Sequence, residues 1–250
     1  MREPKTLLIL GGTAEGAALA REVTRRWGAG LRVVTSLAGR TDAPAALAGE
    51  VRSGGFGGAR GLADYLREAR IDVLVDATHP FAAQISRHAR LAAEGTHVPR
   101  LALQRSPWIP LPGDRWIEAA DLGEAAHVLP RHGRRAFLTT GARGLEAFAG
   151  YAGVAFVVRL IAAPREALPL ADAELVIARP PFTLDEERRL LHRHAIDVVV
   201  AKASGGARPE KLDAARALGL PVVMVARPAA EPGASVASVE AALAWLRERL

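Results

Sequence analysis

Short apolar runs rich in Leu, Val and Ile, such as Leu7–Leu10, Val73–Val75 and Val198–Ala201, alternate along the chain with longer Ala-, Leu- and Arg-rich stretches of helical period. That alternation is the signature of βαβ units built around a parallel sheet. It predicts strands near residues 6–10, 31–35, 73–76 and 98–103, with helices near 15–27, 62–69 and 81–94. A proline-rich stretch from Pro107 to Pro112 then breaks the rhythm. Proline removes backbone donors and stiffens the chain, so a domain boundary is placed there, giving 1–106 and 107–250.

The second half repeats the pattern. Strands are expected near 136–139, 156–159, 175–178, 198–201 and 222–226, and helices near 121–131, 184–194, 208–218 and 236–250. Ile71-Asp72-Val73-Leu74-Val75 and Ile196-Asp197-Val198-Val199-Val200 resemble each other. The fold class is therefore α/β, with two related parallel sheets facing each other.

Composition narrows the function. Half of the 250 residues are hydrophobic, enough for two small cores. There is no cysteine, hence neither a disulfide framework nor a thiolate metal site, as expected of a cytoplasmic protein. The apolar runs fall well short of the roughly 20 residues that span a bilayer, and glycines from Gly11 onward interrupt any signal-peptide pattern; neither membrane nor secretion is expected. The net charge is +6, yet only Lys5, Lys202 and Lys211 among the 33 basic residues are lysines, and the arginines form scattered pairs rather than a run. This argues against nucleic acid and leaves a weak field suited to a polyanionic ligand.

In open parallel sheets ligands bind beyond the carboxyl ends of the strands, so the residues after each predicted strand carry the functional reading. After the first strand, Gly11-Gly12-Thr13-Ala14-Glu15-Gly16 opens a helix, whose free N–H groups and dipole suit a pyrophosphate. Gly11 and Gly16 fit the G-x-G-x-x-G fingerprint, while Thr13 stands at its second glycine. After the second strand an NAD-type acidic residue is missing; Ser36 and Arg40 can instead hold a 2′-phosphate, which favours NADPH over NADH. Gly55 and Phe56, within a run of four glycines, offer close approach and an aromatic surface. Thr78 and His79 follow another strand, and His79 is a candidate proton source. In the second half, Thr140, Arg143, Arg179, Lys202, Ser204 and Gly205 make a cationic wall for carboxylate or phosphate groups.

Other chemistries are absent. There is no Tyr-x-x-x-Lys pair, no Gly-x-Ser-x-Gly elbow and no P-loop, and His192 and His194 are spaced wrongly for a metal pair on a helix, so no metal site is assigned.

Taken in order, Gly-Gly-Thr-x-Glu-Gly, Thr-Ser-Leu-Ala-Gly-Arg-Thr, Gly-Gly-Phe-Gly-Gly, Asp-Ala-Thr-His-Pro-Phe-Ala, Thr-Thr-Gly and Ser-Gly-Gly before Leu-Gly-Leu-Pro-Val-Val-Met-Val resemble the precorrin-6A reductase family of cobalamin biosynthesis, from about Thr6 to Pro228. The resemblance implies two Rossmann-like domains with a ligand cleft between them. It also implies NADPH as cofactor, and hydride transfer to a conjugated double bond of an acidic tetrapyrrole, precorrin-6A or its cobalt form. Thr78 and His79 would line the point of transfer, and the protein would be a monomer or small homo-oligomer. Ala142, Pro180 and Ala203 depart from the family pattern on the substrate side. A two-domain nucleotide-sugar transferase is the alternative that paired Rossmann-like halves leave open, and a basic nucleic-acid binder is a third.

Overall fold

A computed structural model describes residues 4–39, 47–151, 153–164, 166–171 and 173–250. Two compact units are present, one formed by Met1–Ser106 with Pro228–Leu250, the other by Pro107–Arg227. Among the described residues no helix is long and apolar enough to cross a membrane.

The first unit begins with β1 (Lys5–Leu10), α1 (Ala14–Trp27), β2 (Leu31–Leu37), β3 (Glu50–Ser53), α2 (Gly58–Glu68), β4 (Val73–Asp76), α3 (Ala83–Thr96) and β5 (Arg100–Leu103). The second unit contributes β6 (Arg115–Ala119), α4 (Leu122–Val128), β7 (Arg135–Leu138), β8 (Ala155–Leu160), β9 (Ala173–Ile177), α5 (Leu184–Arg193), β10 (Val198–Lys202), α6 (Glu210–Ala217) and β11 (Pro221–Val225). The chain ends in β12 (Ser235–Val236) and α7 (Val239–Arg247).

In the first unit all six strands are parallel, ordered β12-β5-β4-β1-β2-β3. The apolar runs lack polar alternation because helices cover both faces. Leu7 and Ile9 point toward α1 and α7, packing with Leu19, Val23, Leu243 and Leu246. Leu8 and Leu10 point the other way, onto Leu62, Leu66 and Ala89 of α2 and α3. The sheet order is that of a dinucleotide-binding fold, and it reverses between β1 and β4, which makes the ends of those strands the expected ligand crevice.

The second unit is also a parallel six-stranded sheet, ordered β6-β11-β10-β7-β8-β9, and its order reverses between β10 and β7. Phe137, Val199 and Ala201 face α5 and α6 through Leu191, Leu212 and Ala215.

Two expectations need correction. Ending the second domain at Leu250 misplaces the C-terminus: β12 pairs with β5, and Leu243 and Leu246 complete the core beside Leu7 and Val23, so Pro228–Leu250 belongs to the first unit. The final helix is also shorter than 236–250. It starts after Ser238, whose hydroxyl caps it by accepting the N–H of Ala241 at 3.2 Å.

Candidate active site

At the reversal point of the first sheet, the turn between β1 and α1 is held from three sides. The Gly11 N–H bonds the Ser36 carbonyl at 2.9 Å, and a Cβ on Gly11 would meet Thr35 Cγ2 at 2.9 Å, so only glycine lets the turn press against β2. Gly12 has φ +116° and open space where a side chain would project, which leaves its backbone bare above the strand ends. Gly16 packs α1 against β4, a Cβ there lying 3.1 Å from that of Ala77. The third glycine role of the fingerprint is thus kept. Thr13, at the missing second glycine, does two other things: its hydroxyl accepts the Gly16 N–H at 3.1 Å as the helix cap and donates to the Ala77 carbonyl at 2.8 Å. Glu15 lies in the first helical turn and pairs with Arg105 at 3.7 Å.

Ser36 is buried at the end of β2, and its hydroxyl accepts from Arg52 at 3.3 Å. Arg52 also donates to the carbonyls of Gly54 and Gly55 at 2.7 and 2.8 Å, and its guanidinium lies 3.9 Å from the Phe56 ring centroid. It therefore fixes the glycine run around Phe56. Nothing in the spacing pointed to Arg52, because β3 is a short, mostly exposed strand without alternation. Arg40 lies outside the described residues.

Asp76 ends β4, buried at 2% exposure. One carboxylate oxygen accepts both the N–H and the hydroxyl of Thr78, at 3.1 and 2.7 Å, and that hydroxyl also lies 3.3 Å from Ser86 Oγ. The other oxygen, Oδ2, is buried without a partner. His79 accepts the Phe81 N–H at Nδ1, at 3.2 Å, a bond that in the neutral imidazole leaves the proton on Nε2.

In the second unit, the reversal point joins the ends of β7 and β10. Lys202 donates to the Thr140 carbonyl at 2.6 Å, and Lys211 of α6 donates to the Thr139 hydroxyl at 2.7 Å. Thr140 is 5% exposed, with its hydroxyl unpartnered. Ser204 turns its hydroxyl back to the Lys202 carbonyl at 3.2 Å, and Gly205 and Gly206 take φ +69° and +81°. Arg227 and Trp108 hold this loop, through the Ala203 and Ser204 carbonyls and through those of Gly206 and Ala207 respectively. The structure thus gathers Thr140, Lys202, Ser204 and Gly205. Arg143 and Arg179 stand apart on exposed loops after β7 and β9, Arg179 donating to the Ile161 carbonyl at 3.1 Å. Lys211 is not among the residues that the strand-end pattern singles out. Its available signal was residue type: in so arginine-rich a chain, two of three lysines meet at one reversal point.

Two doubly wound parallel sheets, one with a glycine turn opening a helix at its reversal point, define a protein of the Rossmann-like α/β class. The chain belongs to the precorrin-6x reductase CbiJ/CobK family, whose model matches residues 6–247. A precorrin-6A reductase of Rhodococcus erythropolis is 48% identical over 242 residues, 96% of each chain. A more distant cobalt-precorrin-6A reductase of Priestia megaterium is 30% identical over 246 residues, 94% of this chain and 95% of the relative. The solved structure of CobK precorrin-6A reductase superposes with a TM-score of 0.91 at 43% identity, over 98% of this chain and 97% of that one.

Proposed function

We infer that this protein reduces a macrocycle double bond of precorrin-6A in cobalamin biosynthesis, with NADPH as the reductant. The observation that carries the reading is near-full-length identity of 48% to a precorrin-6A reductase. Metal-free precorrin-6A is favoured over its cobalt form, since the relative named for the cobalt substrate shares only 30%.

The residues of the first unit fit a dinucleotide. Gly11 lets the turn lie against β2, and the bare backbone of Gly12 with the α1 N-terminus is assigned to a pyrophosphate, with Thr13 holding the turn in shape. The unpartnered Asp76 oxygen is the acceptor that a hydroxyl or amide donor of such a ligand would satisfy. Ser36, with Arg52 beside it, and Arg40 are assigned to the 2′-phosphate end, Gly55 and Phe56 to the adjoining surface, and Glu15 to the orientation of Arg105. NADPH supplies a hydride when bound; reduction of the double bond takes up one proton as well.

Thr78 and His79 are assigned to the reacting edge. Asp76 fixes the Thr78 side chain, and the Nε2–H of His79 is a donor for a macrocycle atom or for the water that delivers the proton. Thr140, Arg143, Arg179, Lys202, Ser204 and Gly205 are assigned to the carboxylate side chains of the substrate. Close, fixed approach of the two reactants is the protein's main contribution. Anaerobic incubation with precorrin-6A and NADPH tests the reading, the expected result being consumption of one NADPH per macrocycle and slower turnover of the cobalt form.

A further inference from the structure

Behind the residues assigned to the substrate, the α5 and α6 side of the second sheet holds a second charged cluster. Arg159 donates to both oxygens of Glu187, at 3.0 and 2.9 Å, with the two side chains only 9% and 3% exposed. The Arg159 guanidinium lies 4.0 Å from the Phe182 ring centroid. That pair neutralises itself. Lys211 then adds a positive charge whose hydrogen-bond partner is neutral, the Thr139 hydroxyl, which already gives its own proton to the Val200 carbonyl at 3.0 Å.

The charged groups facing Lys211 are Arg159 from β8 and Glu187 from α5. Of the two carboxylates on its own helix, Glu210 is exposed and Asp213 is taken by Arg208 and Arg216 at 2.8 and 2.9 Å. Burial, reinforced by Arg159 and opposed by Glu187, pushes the Lys211 ammonium down to about 8. The cluster therefore carries one positive charge with no carboxylate bonded to it, half-buried in the first turn of a helix that has no side-chain cap, beside the end of β7. A lysine kept only to tie α6 to Thr139 imposes this desolvation cost without return, since a neutral donor would make the same bond.

Strand alternation places the two lysines of the unit on opposite faces. Phe137, Val199 and Ala201 face α6, so Thr139 shares that face and Lys202 takes the other. Lys202 and Lys211 flank the reversal point like the jaws of a clamp. We propose that Lys211 is a second anion-binding residue of the substrate side, taking a carboxylate of the macrocycle from the face of the sheet opposite Lys202. The assignment rests on the reductase reading.

The test uses the full-length enzyme and the variants Lys211→Met and Lys211→Arg. In Lys211→Met the KM for precorrin-6A should rise about tenfold or more, with the KM for NADPH unchanged and the melting temperature at neutral pH not lowered. Wild-type kcat/KM should fall as pH rises through about 8, where Lys211 loses its charge, and Lys211→Arg should carry the activity above that value. An unchanged KM in Lys211→Met with a lowered melting temperature overturns the proposal and makes Lys211 a structural tie. Failure of the reductase reading shows separately, as wild-type enzyme inert toward precorrin-6A. Titration with the polycarboxylate uroporphyrin then decides the anion site: weaker binding by Lys211→Met supports it, equal binding overturns it.

Discussion

Asp76 and Thr78 are joined through a single carboxylate oxygen, which takes the Thr78 N–H and hydroxyl together and leaves the second oxygen of Asp76 buried without a partner. A buried acceptor left open in this way can take a donor from a ligand or from water. Asp76→Asn keeps an oxygen for Thr78 and turns the open oxygen into an NH2 group. The expected outcome is an NADPH affinity lowered by about 1.5–3 kcal/mol with little change in melting temperature, read by calorimetric titration. Unchanged affinity would remove Asp76 from the cofactor site.

Thr13 replaces the glycine expected at the centre of the fingerprint, and its two hydrogen bonds tie α1 to the end of β4. Thr13→Ala loses both, at about 1–2 kcal/mol for the cap. Thr13→Ser should restore stability and NADPH affinity together, since the hydroxyl alone makes these bonds. Denaturant unfolding of the two variants, with and without NADPH, checks this.

Substitutions at Arg52 and Arg40 should have different effects. Arg40→Ala should weaken NADPH by about 1–3 kcal/mol and leave NADH nearly unaffected, as loss of one charge-assisted phosphate contact requires. Arg52→Ala also releases the Gly54 and Gly55 carbonyls and the face of Phe56, so it should weaken both cofactors. Titrations with each nucleotide distinguish the patterns, and equal loss of NADPH and NADH in Arg40→Ala would reassign the 2′-phosphate.

The sequence exposes this architecture where strands are buried on both faces. Leu7–Leu10, Val73–Val75 and Val198–Ala201 are continuous apolar runs because helices cover both sides, and the polar residues after them fall at the reversal points of both sheets. Edge and short strands leave little trace. β3 is mostly exposed, β6 follows the prolines that suggested a linker, and β12 has two residues. The return of Pro228–Leu250 to the first unit was hidden because an amphipathic helix does not say which core its Leu243 and Leu246 will fill. Lys211 and Arg52 are brought to the strand ends through partners distant in the chain, Thr139 and Ser36.

Lys211 also predicts a pH dependence of stability. Its folded-state value is depressed to about 8 from an ordinary 10.5, so above about 8 the unfolded chain binds more protons and the stability contribution of this residue rises with pH. Below about 8 the lysine is charged in both states and its full burial penalty is present. Lys211→Met should therefore be at least as stable as wild type at neutral pH, with the advantage shrinking as pH rises from about 8 toward 10.5. Thermal melts across that range give the answer.

Rapid mixing of the enzyme with precorrin-6A and NADPH under anaerobic conditions, following nicotinamide and macrocycle absorbance together, tests the reduction most directly. NADPH loss and macrocycle reduction should proceed at one rate and in equal amounts. Macrocycle bound by the enzyme yet unchanged, with NADPH intact, would contradict it.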